Sequence, residues 1–148
     1  MVTAEFCPLT KIFRSAGFDE CEKAYRETSN HEYASECGID KEFYLRLEEQ
    51  DIFQGIGAFS ENRLVGFMGL QKIYYAHMNT SHTFIETVFV LPDYRKGNTF
   101  FKMLHLAKQW TRDKGNKSIM LSAPYGSRLE RVYKRIATPT DTEFEITL

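Results

Sequence analysis

Apolar and polar positions change their period several times along this chain, and each change marks an element. Val2 to Phe6 reads as a short strand. Asp19 to Thr28 reads as a helix, with Asp19 as N-cap and Glu20 and Glu22 in its first turn. A second helix is expected from Asp40 to Glu49, where Phe43, Tyr44 and Leu47 share a face. Ile52–Phe59 and Leu64–Tyr75 are apolar and rich in strand formers, and Ser60-Glu61-Asn62-Arg63 is the hairpin loop between them. Thr83–Leu91 (TFIETVFVL) is the strongest strand, ended by Pro92. From Asn98 to Lys114 the apolar residues Phe100, Met103, Leu104, Ala107 and Trp110 keep a helical spacing, with Gly115 placed as the cap glycine. Ser118–Ser122 predicts a strand, Leu129–Ile136 a short helix and Glu143–Leu148 a final strand. The order β-α-α-β-β-β-α-β-α-β specifies an α/β fold with a mixed central sheet flanked by helices. Its parallel part is the β-α-β from Thr83 to Ser122.

Composition narrows the class. At 148 residues the chain is one domain's worth, 1–148, and can bury enough surface to fold without disulfides or a structural metal. Aromatics at 14% are too many for a disordered chain. No apolar run reaches the ~18 to 20 residues of a membrane span, and MVTAEFCPLT lacks the basic and apolar regions of a leader. Cys7, Cys21 and Cys37 are odd in number and read as reduced thiols, so a cytoplasmic location is expected. Charge is divided: residues 1–60 carry 6 Lys/Arg against 12 Asp/Glu, and residues 61–148 carry 13 against 8. That division suits an anionic ligand on the C-terminal half and a cationic one near the N-terminal half, or two solvated faces of opposite sign.

The chemistry concentrates between Ile85 and Leu104 (IETVFVLPDYRKGNTFFKML). An apolar strand runs into a tight loop carrying Arg95, Lys96, Gly97 and Asn98, then into a helix N-terminus. Free backbone N–H groups, the positive end of the helix dipole and two cations form a means of holding pyrophosphate. Gly97 lets the backbone approach phosphate without a Cβ between them. The other reading of the same residues is a βα loop whose glycine serves turn geometry.

The run from Val88 to Asn98 (VFVLPDYRKGN), entering a helix and followed by a strand, resembles the acetyl-CoA-binding segment of the GNAT family of N-acetyltransferases. The element order along almost the whole chain resembles that fold as well. The resemblance implies a sheet splayed open at the cofactor site and transfer of an acetyl group from acetyl-CoA, as cosubstrate, to an amine without a metal. It implies backbone pairing of Val88, Phe89 and Val90 with the pantetheine arm, in the manner of an added strand. It also implies wrapping of the pyrophosphate by Arg95, Lys96, Gly97, Asn98, Thr99 and Phe100. The usual Arg/Gln-x-x-Gly-x-Gly/Ala pattern is altered: Asn98 and Phe100 stand where glycines are expected, and Gly97 comes one place early. Phe100 is therefore expected to point into the core.

IETVFVLPDYR and VYKRIA are locally similar to diamine acetyltransferases, which implies Glu86 as the base and Tyr133 as the acid that protonates the leaving thiolate. Alkyl amines are almost entirely protonated at pH 7, so a base contributes substantially. By the strand period, Glu86 shares a face with Val88 and Val90. The alternatives are a Glu86 paired with a cation or facing solvent, and a Tyr133 packed on the sheet with a wet hydroxyl. The end TPTDTEFEITL is short for this fold, so one C-terminal strand is expected to be missing, and the compact form resembles small bacteriophage acetyltransferases. The expected partner is an amine acceptor, either a polyamine-like small molecule or a protein lysine, with a homodimer left open. A second reading, motivated by the altered glycines, is a non-catalytic acyl-CoA-binding or host-protein-binding module.

Other constellations carry less. His31, His77, His82 and His105 have no metal-ligand spacing. Gly115-Asn116-Lys117-Ser118 imitates the end of a P-loop but lacks the earlier glycine and precedes a strand. The aromatics of the basic half sit at core spacing rather than in a stacking row, which argues against nucleic acid.

Overall fold

A computed structural model describes residues 1–31 and 33–148; Glu32, one of the acidic residues counted above, lies outside the described residues. Five strands form one sheet in the order β1-β2-β3-β4-β5: β1 (Val2–Phe6), β2 (Phe53–Ser60), β3 (Arg63–Tyr75), β4 (Thr80–Val90) and β5 (Ile119–Met120). All neighbours are antiparallel except β4 and β5, the expected parallel pair. The β2–β3 hairpin closes on Glu61 and Asn62, both with positive φ (50° and 65°), while Ser60 pairs with Arg63. That two-residue turn matches the right-handed twist of its strands.

Helices α1 (Leu9–Arg14), α2 (Phe18–Glu27) and α3 (Lys41–Glu49) cover one face of the sheet, and α4 (Thr99–Asp113) covers the other. The contacts assign the faces. Phe67 and Phe89, opposite each other on β3 and β4, meet the ring of Tyr25 on α2 at 5.7 and 6.3 Å. Thr83 on β4 instead takes a hydrogen bond from Thr111 of α4 at 2.8 Å. Between the layers lie the fully buried Ile56, Leu64, Met68, Leu70 and Met103. Helix α5 (Arg128–Ile136) follows β5 and opens on Ser127, whose hydroxyl accepts the Glu130 N–H.

Four features differ from the sequence reading. Helix α1 was not expected: six residues are too few to show a period, and tertiary contact holds it. Leu9 and Ile12 are buried one turn apart, and the Leu9 N–H donates to Glu48 of α3 at 2.8 Å. Helix α2 starts one residue early, after Gly17 at φ 93°, so Asp19 lies in its first turn rather than at the cap. A Cβ at Gly17 would stand 2.4 Å from the Leu64 carbonyl oxygen, which explains the glycine there. On α3, Asp40 is the N-cap rather than the first helical residue, and Tyr44 and Leu47 pack inward as expected, but Phe43 is exposed. Finally, β5 pairs only through Ile119 and Met120, and residues 137–148 contain no strand. The alternating Phe144, Ile146 and Leu148 are exposed, with no sheet edge beside them to supply hydrogen bonds.

Candidate active site

Strand β5 pairs with β4 at Thr83 and Phe84 only. From Ile85 onward the edge of β4 that faces away from β3 has no strand partner among the described residues, so the sheet is splayed there. Val88 and Phe89 lie on this open stretch; Val90 follows, its carbonyl accepting from Arg95 Nε at 2.7 Å. An exposed strand edge is a template for an extended group carrying amides.

The open edge runs directly into the basic loop. A 3-10 turn at Pro92–Tyr94 leads to Arg95, Lys96 and Gly97, and Gly97 has a φ of 108° with empty space where its Cβ would be. A left-handed conformation there needs glycine, so the displaced glycine is the one the turn requires. The loop ends at Asn98, the N-cap of α4. Asn98 makes no capping hydrogen bond through its side chain, and the first turn of α4 has no acidic residue. The leading amides of this 15-residue helix are therefore unclaimed by a side chain and point toward the loop. Thr99 is buried and donates its hydroxyl to the Tyr94 carbonyl at 3.0 Å. Phe100 does not enter the core fully: it is half-buried, its ring 6.0 Å from that of Tyr133.

Arg95 is held from two sides. Its Nε is spent on Val90, and its guanidinium carbon lies 5.2 Å from the centre of the Phe89 ring. Burial, and secondly the neighbouring Arg128 guanidinium, hold its pKa below the ordinary arginine value. Two like charges brought close, with the terminal nitrogens of Arg95 uncommitted, make an electropositive place at the end of the β4 edge. Sequence reasoning missed Arg128, because only the packing of α5 brings it near the loop.

Glu86 departs from its expected orientation. Gly69 of β3 pairs with Thr87, whereas the next residue, Leu70, pairs with Ile85. Glu86 is thus the extra residue of a β-bulge, and the alternation of side chains breaks at this point. Val88 and Val90 stand opposite Met68 and Gly66, on the α4 side. Glu86 turns to the other face, where Tyr44 Oη of α3 donates to its two carboxylate oxygens at 2.7 and 2.9 Å. It is neither paired with a cation nor facing solvent freely. Burial raises the Glu86 pKa, and hydrogen bonds from the Tyr44 and Thr87 hydroxyls oppose the rise. An apolar cavity of about 50 Å³ adjoins the pair, with Tyr25, Tyr44, Phe67 and Thr87 in its lining. Tyr44 was read from the sequence only as part of a helix face, since nothing local marks a tyrosine that will meet a carboxylate 42 residues away.

Tyr133 is buried, with no hydrogen-bond partner for its hydroxyl among the described residues, and desolvation raises its pKa. The wet hydroxyl expected as the alternative is not what the fold provides. No hydrogen bond joins Tyr133 to Glu86; the one packs with α4 and the other with α3. The described residues contain no cluster of His, Cys, Asp and Glu able to hold a metal ion, and no helix is long and apolar enough to cross a membrane.

Comparison with known folds agrees with this architecture. A GCN5-related N-acetyltransferase from Ralstonia eutropha JMP134 superposes with a TM-score of 0.79 at 14% identity, covering 100% of this chain and 99% of the other. An aminoglycoside acetyltransferase from an uncultured soil metagenomic sample gives 0.77 at 14% identity, with coverage of 100% and 99%. A protein from Clostridium acetobutylicum described as a "predicted acetyltransferase with acetyl-CoA" gives 0.70 at 15% identity, with coverage of 99% and 96%. No curated protein matches by sequence. The sequence pattern of the acetyltransferase (GNAT) family, in contrast, matches residues 17–137, from the cap of α2 through the end of α5. By that match the chain belongs to the acetyltransferase (GNAT) family.

Proposed function

We propose that residues 1–148 act as one N-acetyltransferase domain that moves an acetyl group from acetyl-CoA to a cationic primary amine. The observation that carries this reading is the continuity of the open β4 edge with the uncapped, basic N-terminus of α4. In it, the backbone of Val88 to Val90 holds the pantetheine amides of the substrate, and the loop from Arg95 to Phe100, with Arg128, holds its phosphates. Glu86 takes the proton of the incoming ammonium group. The freed amine attacks the thioester carbonyl, the carbon–sulfur bond breaks, and the Tyr133 hydroxyl gives its proton to the departing thiolate. The attacking nitrogen passes its surplus proton back to the Tyr133 oxygen, and Glu86 releases its proton to solvent. A carboxyl with a raised pKa suits a proton acceptor at neutral pH, because its conjugate acid is closer in strength to the donor.

The acidic helices support a cationic acceptor, polyamine-like or a protein lysine. Helices α2 and α3, which cover the face to which Glu86 turns, carry Asp19, Glu20, Glu22, Glu27, Glu42, Glu48 and Glu49 against Lys23, Arg26, Lys41 and Arg46. A field of that sign raises the local concentration of a cation. One fold neighbour is an aminoglycoside acetyltransferase, an enzyme of amine-rich substrates, in line with this choice. The altered glycines do not argue for a non-catalytic module, since Gly97 supplies the turn and Phe100 packs away on Tyr133.

Release of free thiol from acetyl-CoA with a panel of polyamines, lysine peptides and neutral amines tests the proposal. Turnover with cationic amines and a KM that rises with salt are expected, because exposed charges are screened within roughly 8 to 10 Å at physiological ionic strength. Absence of both thiol release and CoA binding would overturn it.

A further inference from the structure

A carboxylate on a β-bulge is poorly constrained by its own strand, because the bulged residue has no ladder partner. Glu86 is fixed instead by another element. The Tyr44 hydroxyl reaches both of its oxygens, at 2.7 and 2.9 Å. Tyr44 is itself held firmly: its ring lies 5.2 Å from that of Phe53, and its helix is capped by Asp40, which accepts the Phe43 N–H at 3.0 Å. The same helix is tied to α1 through Glu48 and the Leu9 N–H. A side chain placed with this much support is built to hold something.

We propose that Tyr44 is the positioning residue for the base, its hydroxyl engaging both carboxylate oxygens of Glu86, holding them in one orientation and favouring their ionised form. This rests on the reading of Glu86 as the base. Burial favours the neutral acid, and no Lys, Arg or His offsets it. The polar groups facing Glu86 are Tyr44 from α3, Tyr25 from α2 and Thr87 from β4, while Glu22 of α2 lines the adjoining cavity. Among them Tyr44 alone gives the carboxylate a doubly engaged donor. Hydrogen bonds to a charged group are the strong kind, and this one favours the ionised form over the acid.

The test is the pH dependence of kcat/KM for wild type, Tyr44→Phe, Tyr44→Leu and Glu86→Gln, beside a carboxyl-carbon NMR titration of Glu86 that needs no acceptor. Loss of the hydroxyl should move the acid limb, and the Glu86 titration with it, upward by about 1 to 2 pH units. At pH values below the wild-type acid limb, activity should fall about 10- to 100-fold, recovering toward wild type at high pH, with CoA affinity unchanged. Both Tyr44 variants lack the hydroxyl, so whichever folds reports the same shift. An acid limb and a Glu86 titration that stay at the wild-type pH in a folded variant would overturn the assignment of Tyr44. An acid limb that survives in Glu86→Gln overturns the reading of Glu86 as the base, a separate failure, because the NMR shift would still report whether Tyr44 controls the carboxyl.

Discussion

Adding one methyl group at Gly69 probes the bulge without touching any reacting group. Gly69 pairs with Gly55 on β2 and Thr87 on β4, opposite the point where Glu86 leaves the ladder. Its φ is not in the left-handed region, so alanine meets no backbone objection; the obstacle is space. A Cβ would stand 2.6 Å from Cζ of Phe53 and 2.8 Å from Oγ1 of Thr87. Neither can yield freely. Phe53 is buried and packed against Tyr44, and Thr87 belongs to the bulge. Overpacking of this kind costs about 1 to 3 kcal/mol, and the better strand propensity of alanine returns about 0.5 to 1 kcal/mol. The midpoints of the two ranges leave a net loss of about 1 kcal/mol, which corresponds to a fall in Tm of roughly 2 to 4 °C for a chain of this length. Displacing Phe53 and Thr87 also displaces Tyr44 and Glu86, so kcat should fall more than CoA affinity. Gly38→Ala is the control: nothing lies within 4 Å of its Cβ position, and its Tm should stay the same or rise slightly. Calorimetric melts and thiol-release kinetics on the three proteins decide the matter. A Gly69→Ala protein that melts within about 1 °C of wild type would show that the strands have slack here, and the argument that glycine is needed for the close approach would fail.

Three further outcomes are expected. Arg95→Ala should weaken CoA binding by calorimetry about 10- to 100-fold, and Arg95→Lys should recover only part, because lysine has no Nε–H for the Val90 carbonyl; unchanged affinity in Arg95→Ala would remove the loop from the phosphate site. Tyr133→Phe deletes a buried hydroxyl that has no partner, so Tm should hold or rise while kcat falls about 10²-fold or more; a lower Tm with normal kcat would mean that the hydroxyl is structural. Glu86 has a raised pKa in the fold, so the native state binds its proton more readily than the unfolded chain, and the stability it lends at low pH is lost as pH rises through that raised pKa. Glu86→Gln, uncharged throughout, should therefore melt above wild type at pH 8, with the gap closing toward pH 4; a variant that melts below wild type at pH 8 would contradict the sign.

Much of the segment proposed to hold the donor could be read along the chain, because its parts are consecutive. The strand ending at Val90, the cations Arg95 and Lys96, Gly97 and the amphipathic run of α4 fall within some 30 residues, and local periodicity with turn chemistry places them correctly. Helices α3 and α4, the hairpin at Glu61-Asn62 and the parallel β4–β5 pair were legible for the same reason. Helix α1 was not: it exists because distant parts of the chain support it, and a period cannot be measured over six residues. The segment 143–148 shows the converse, since its alternation is plain in the sequence but strand structure needs an edge to pair with.

The setting of Glu86 was decided by tertiary structure alone. Strict alternation along TFIETVFVL puts Glu86 with Val88 and Val90, and the sequence contains nothing to break that period. The bulge arises from pairing with β3, where the glycine at position 69 lets Phe53 and Thr87 crowd together. It turns Glu86 to the helix-covered face, within reach of a tyrosine on α3. Sequence by itself determined which residues form the strand, the loop and the helix that meet at Val90 to Thr99, because those follow from neighbours a few positions away. Which way Glu86 points, what holds it there and what lies beside Tyr133 depend on contacts between residues 18 positions apart (Gly69 and Thr87), 33 apart (Phe100 and Tyr133) and 42 apart (Tyr44 and Glu86), and such contacts exist only once the sheet and its helices have packed.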